Sequence, residues 1–206
     1  MGRTQSFDTA TVVGAARDVF WRLGYDATSL GDLERATGLG RSSLYHAFGS
    51  KRGLFDAAVE NYLDEIVRPR LAGLTGGDAS ADGDDPAAAR AALRSYFAEM
   101  SDAVATLGHD DGRAGCLLLI STAGQAGHDA MVRGAVDAYR AELVAAFSAA
   151  VRRALPGAAT DAVERRARLY TALVVAALTL ARVNREEAVA TLRLAEDAAG
   201  APVPGP

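Results

Sequence analysis

The chain has 206 residues, half of them hydrophobic but only 6% aromatic, and a net charge of −4. That length supports one large core or a small domain beside a larger one, and an alanine-rich, aromatic-poor composition is that of packed helices rather than of a sheet. The acidity excludes binding of polyanions through bulk charge, and a single cysteine excludes an internal disulfide and fits a reducing compartment.

The opening residues MGRTQSFDTAT lack an apolar signal core, and the longest uncharged apolar run, 169–181, is too short to span a bilayer. The expectation is a soluble cytoplasmic protein with no membrane partner. Charge is divided unevenly. Residues 1–55 hold seven Arg/Lys against five Asp/Glu, leaving fifteen against twenty-one for the rest, so any nucleic-acid contact is expected near the N-terminus.

Val12, Ala15, Ala16, Val19, Phe20 and Leu23 recur at helical spacing and predict a first helix from Thr9 to Leu23, stopped by Gly24. Ser29 opens a second helix, with Asp32 as its near-capping-box partner; Leu30, Leu33 and Ala36 form its inner stripe and Gly38 ends it. A third, short helix spans about Arg41 to Phe48. Gly49 and Ser50 start a fourth, in which Leu54, Phe55, Val59, Tyr62 and Ile66 face inward until Pro69 kinks or ends it.

Residues 73–86, GLTGGDASADGDDP, read as a surface loop between two domains. Further helices are expected over about 86–106, 116–125, 129–154, 160–182 and 185–198, with Pro156 and Gly157 dividing the two longest and 201–206 a disordered tail. No internal repeat and no alternating strand pattern occurs. The fold class is all-α.

Helix, tight glycine turn and short helix is the helix-turn-helix arrangement, whose second helix enters the major groove. The outward residues of the short helix are Arg41, Ser42, Ser43, Tyr45 and His46, with Leu44 and Phe48 turned inward. Small hydroxyls allow close approach to base edges, Arg41 suits guanine or phosphate, and Tyr45 and His46 can reach phosphate oxygens. Lys51, the chain's only lysine, sits just after Ser50 at a helix start that already carries positive partial charge, which suits an anionic partner better than it suits the helix.

From Val12 to Phe55 the sequence resembles the DNA-binding domain of the TetR family of bacterial transcriptional regulators. The matching pieces are F-W-R-L-G-Y-D-A-T-S-L (20–30), A-T-G-L (36–39), S-L-Y-H-A-F (43–48) and S-K-R-G-L-F (50–55). The resemblance implies operator contacts from Thr28, Arg41, Ser42, Tyr45, His46 and Lys51. It departs from the family pattern at Gly40, where a serine usually caps the recognition helix; glycine there costs only a few tenths of a kcal/mol relative to serine. The segments G-C-L-L-L-I (115–120) and H-D-A-M-V-R (128–133) resemble one subgroup of the family.

The implied organisation is an N-terminal three-helix DNA-binding domain over 1–50 and a larger helical domain over 51–200 that binds an effector and forms a homodimer. Tyr62, Ile66, Tyr96, Phe97, Met100, Cys116, Ile120, Met131, Tyr139 and Tyr170 are the candidate lining of an effector cavity. With Thr122 and tyrosine hydroxyls as polar handles, they predict a small, hydrophobic, uncharged or weakly polar ligand. The dimer stripe is Leu169, Leu173, Ala176, Ala177 and Leu180 on a helix apolar nearly all round, packing with 185–198 into a four-helix bundle.

The function expected is a dimeric repressor of double-stranded operator DNA, released by that ligand, with no cofactor and no enzymatic activity. Two other readings stand beside it: a thiol- or metal-responsive regulator using Cys116, and a protein-interaction module with a vestigial helix-turn-helix. His109, Asp110, Asp111, Cys116 and His128 offer mixed metal ligands, but their spacing fits no standard metal motif. Gly38-Leu39-Gly40 lacks the third glycine and the preceding strand of a dinucleotide loop, and nothing brings serine, histidine and aspartate together as a triad.

Overall fold

The computed structural model describes residues 7–76, 85–107, 112–122 and 129–200. Among these residues all regular structure is helical. Three short helices form a head: α1 (Thr9–Ala27), α2 (Leu30–Thr37) and α3 (Arg41–Phe48). The connecting helix α4 (Lys51–Tyr62) continues through a π turn, Leu63–Val67, into α5 (Arg68–Thr75). The body holds α6 (Pro86–Thr106), α7 (Leu117–Ser121), α8 (Ala130–Ala154), α9 (Thr160–Leu180) and α10 (Arg185–Gly200).

Local chemistry explains most of these boundaries. The Asp8 carboxylate accepts from the Ala10 and Thr11 N–H groups, both at 3.2 Å, and starts α1. Gly24 interrupts α1 with φ 77°, where the sequence ends the helix, and one further turn follows. Ser29 and Asp32 form a complete capping box on α2, and Gly38 ends it in the left-handed region at φ 69°, giving the tight turn into α3. Ser50 Oγ accepts from the Gly53 N–H at 3.0 Å to start α4. Gly53 itself is obligatory, because a Cβ there would lie 2.1 Å from the Phe48 carbonyl oxygen.

Pro69 does not end its helix. Its ring conflicts with the carbonyl of residue 65, and it has no N–H to donate. The chain absorbs both problems in the π turn just upstream, where the Arg68 N–H bonds to the Leu63 carbonyl, five residues back. The helix also runs past residue 73, where a loop was expected, and stops at the left-handed Gly76. The remainder of that loop, 77–84, and the expected tail, 201–206, lie outside the described residues.

Phe20 fixes the head's core, meeting Phe55 edge-on at 5.1 Å, while Tyr25 closes on Phe55 at 4.9 Å. Leu33, Leu44 and Leu54 complete it, so this core reaches past residue 50 into the first turns of α4. In the body α10 packs against α6 and α9, and α8 lies between α6 and α9. Its centre is an aromatic stack of Phe97, Phe147 and Tyr170, with the two phenylalanine rings 5.6 Å apart and nearly parallel.

Head and body are tied by specific bonds. Trp21 of α1 donates its indole N–H to the Gly115 carbonyl at 3.1 Å. Arg182, just beyond α9, donates to the carbonyls of Trp21, Arg22, Gly112 and Ala114, gripping the end of α1 and the segment before α7 together. Arg52 of α4 pairs at 2.5 Å with Asp129, the residue whose carboxylate also caps α8. No helix among the described residues is long and apolar enough to cross a membrane.

Candidate functional site

The first candidate surface is the outer face of α3. Arg41, Ser42, Ser43, Tyr45 and His46 are all exposed, while Leu44 is buried against the head. The Arg41 guanidinium lies 5.8 Å from the Tyr45 ring centroid, which orients both side chains away from the core. Gly40 supplies no side-chain cap, but Glu34 of α2 reaches across the turn and accepts the Arg41 N–H at 2.6 Å. The missing serine is thus replaced from the neighbouring helix. Glu34→Ala is expected to cost about 1 kcal/mol of stability, and Gly40→Ser on that background to recover a few tenths. Urea unfolding of the two variants checks this.

Lys51 is half-buried, with its ammonium 4.5 Å from the centre of the Tyr25 ring. Burial pulls its pKa below the usual lysine value, partly opposed by Asp26. Lys51 follows the last residue of α3 by three positions, so the ring holds this charge near the C-terminal end of that helix.

Thr28 does not join this surface. It is buried, and its hydroxyl donates to the Gly24 carbonyl at 2.6 Å, satisfying the backbone where α1 is broken. The sequence reading that gave it a DNA contact is corrected in this respect: its hydroxyl is spent on the fold.

A second candidate site is a cavity of about 260 Å³ where α1, α4, α5, α6 and α8 meet the segment before α7. Of the predicted lining residues, Tyr62, Ile66, Tyr96, Met100 and Tyr139 stand in its wall, and Ala103 faces it as well. The other five do not. Phe97 and Tyr170 belong to the aromatic stack, and the Tyr170 hydroxyl donates to the Ala198 carbonyl at 3.2 Å. Ile120 packs against Gly24 and Gly115. Met131, in the first turn of α8, is 67% exposed.

Cys116 is sealed behind the cavity wall, hydrogen-bonded by the Tyr62 and Tyr139 hydroxyls. Burial pushes its thiol above the usual value despite those bonds, which keeps it protonated and a poor nucleophile. Burial likewise raises the phenols of Tyr62, Tyr96 and Tyr139, so all three are hydroxyl donors at neutral pH. Among the described residues no group of three or more His, Cys, Asp or Glu side chains is placed to hold a metal. His109, Asp110, Asp111 and His128 lie outside them.

Eight wall residues were not read from the sequence, among them the polar or charged Trp21, Arg70 and Arg113. Trp21 belongs to the head, and only the tertiary fold brings α1 against α4 and α6. Arg70 and Arg113 add charged groups to a wall expected to be mostly apolar, with tyrosine hydroxyls as its polar handles.

On the far side of the body, α9 shows a third feature. Leu169, Leu173, Ala176 and Leu180 form a stripe on its outer face, with Leu169 51% exposed, and Val183 and Leu194 are exposed beside it. Ala177, assigned to this stripe from the sequence, is fully buried in its own subunit's core, because it lies about 100° around the helix from Ala176.

Comparison with known proteins agrees with this arrangement. The profile described as "Bacterial regulatory proteins, tetR family" matches residues 12–58. The chain is 37% identical over 133 residues to the uncharacterized HTH-type transcriptional regulator YezE of Bacillus subtilis (strain 168), a match covering 63% of this chain and 60% of that protein. It is 34% identical over 118 residues to the HTH-type transcriptional repressor ComR of Escherichia coli (strain K12), covering 57% of this chain and 51% of ComR. The chain therefore matches between about half and three-fifths of the length of these curated relatives.

Among solved structures, a cysteine mutant of the TetR family transcriptional regulator CifR, complexed with 26-base-pair double-strand operator DNA, superposes with a TM-score of 0.76 at 30% identity, covering 96% of this chain and 99% of that one. The reduced form of E. coli NemR shares the fold at 18% identity and a TM-score of 0.71, over 93% of this chain and 95% of that one. All of these relatives are regulators rather than enzymes. The chain belongs to the TetR family of bacterial transcriptional regulators.

Proposed function

We propose that this regulator is a cytoplasmic homodimeric repressor that leaves double-stranded operator DNA when a small molecule fills the cavity. Residues 1–50 act as the DNA-binding head, with Arg41, Ser42, Ser43, Tyr45, His46 and Lys51 as its contacts. Residues 51–200 act as the effector and dimer body. The observation that carries the reading is that the cavity wall includes Trp21 of α1 and Tyr62 and Ile66 of α4. α1 packs on α4, and α4 in turn on α3, so a ligand pressing on them presses on the DNA-contacting element.

Two further observations support it. CifR, aligned over 96% of this chain, is seen with operator DNA, and ComR is named a repressor. The apolar stripe on α9 suits a two-fold interface, and a short recognition helix needs a second copy to read enough base pairs.

The test is binding of a labelled duplex taken from the DNA upstream of the regulator's own gene, measured over a range of salt. The reading predicts specific binding that falls steeply with salt. Lys51→Ala is expected to weaken binding to specific and random DNA alike and to lower the salt slope by about one per half-site, about two for the dimer. Binding without salt dependence would instead favour the protein-interaction reading of the helix-turn-helix.

A further inference from the structure

The cavity that serves as effector site in this reading has two arginines in its wall, Arg70 and Arg113, and no acidic side chain among the described residues; Arg113 is paired with Asp18 at 3.6 Å. Arg70 makes no hydrogen bond or ion pair among the described residues, whereas Arg68, two positions earlier, pairs with Glu60, Asp64 and Glu142. The Arg70 charge lowers the pKa of the Tyr62, Tyr96 and Tyr139 phenols against the larger, raising effect of their burial.

Two of those hydroxyls, Tyr62 and Tyr139, are committed to the Cys116 thiol. The third makes no hydrogen bond among the described residues, yet Tyr96 is only 7% exposed and lines the cavity. Its hydroxyl opens onto the cavity and is free to donate to whatever occupies the site. Two such donors meet at one cavity: a guanidinium, whose planar fork matches a carboxylate, and a phenol held protonated. The rest of the wall is apolar or aromatic, including Trp21, Ile66, Met100 and Leu178.

We propose that the effector is an organic carboxylic acid, its apolar body seated between Trp21 and Met100 and its carboxylate held by the Arg70 guanidinium and the Tyr96 hydroxyl. The proposal rests on the reading of the cavity as an effector site and gives that site its ligand class. Arg70 is exposed, so water screens its charge and limits the preference for the anion to about tenfold.

Calorimetric titration of the full chain with 4-phenylbutanoate and with its neutral amide, 4-phenylbutanamide, tests the proposal. The wild type is expected to bind the acid about tenfold more tightly than the amide. Arg70→Gln, at an exposed position, is expected to abolish that preference by weakening the acid about tenfold relative to the amide. Tyr96→Phe is expected to reduce it several-fold.

Equal affinity for acid and amide in the wild type, or a preference that survives Arg70→Gln, overturns the carboxylate proposal while the cavity remains a ligand site. Binding of neither probe, together with DNA affinity insensitive to both, counts against the cavity as an effector site and takes the proposal with it.

Discussion

Leu173→Glu is expected to turn the regulator into a monomer at micromolar concentration and to lower its affinity for operator DNA at least a hundredfold. Leu173 lies mid-stripe on α9 between Leu169 and Ala176, half-buried with part of its side chain against its own subunit's core and the rest facing outward. Across a two-fold axis it meets its own copy, or nearly so, and the substitution then buries two like charges in an apolar contact. Each unpaired charge costs several kcal/mol, more than a stripe of alanine and leucine returns.

Loss of the dimer removes the second recognition helix and with it an effective concentration that is typically worth 10²- to 10⁴-fold. Sedimentation measures the first effect and anisotropy of a labelled operator the second. Circular dichroism distinguishes a folded monomer from an unfolded chain. A stable Leu173→Glu dimer would place the interface elsewhere.

Ala103→Trp is expected to act as a tethered ligand, lowering operator affinity about a hundredfold in the absence of any effector while leaving every residue of the α3 face unchanged. Ala103 lines the cavity from α6, and Trp21 and Tyr62 line it from α1 and α4. An indole there fills the space and pushes on α1 and α4, the elements that position α3. A hundredfold change corresponds to about 2.7 kcal/mol of preference for the displaced arrangement, within reach of a few aromatic contacts. Leu117 offers no such position, because it is fully buried and does not line the cavity. Unchanged operator affinity with ligand binding abolished would mean that the cavity is not coupled to the DNA-contacting face through these helices.

The head was legible in the sequence because its signals are local. Ser29 with Asp32, Gly38, and Gly49 with Ser50 each act within a few residues of the backbone they cap, so helix boundaries follow from chemistry along the chain. Thr28 was misread because its hydroxyl bonds to a carbonyl freed by the break at Gly24, and the break is visible in sequence while the bond is not.

The cavity was only half legible, for a geometric reason. Tyr96 and Phe97 are neighbours on α6, about 100° apart around the helix. Tyr96 lines the cavity while Phe97 is sealed in the stack with Phe147, and nothing in the local pattern says which face meets which partner. Trp21 and Arg70 enter the wall only because the head docks against the body through the Trp21–Gly115 hydrogen bond and the Arg182 grip. Glu34 was missed as a cap for the same reason, since it comes from the preceding helix.

The most direct test of the account is a footprint of the purified regulator on the DNA upstream of its own gene, with and without a ligand that fills the cavity. The account predicts two protected half-sites related by a two-fold axis and spaced about one helical turn apart, both lost when ligand is added. A single unpaired half-site, or protection that ligand leaves unchanged, would contradict it.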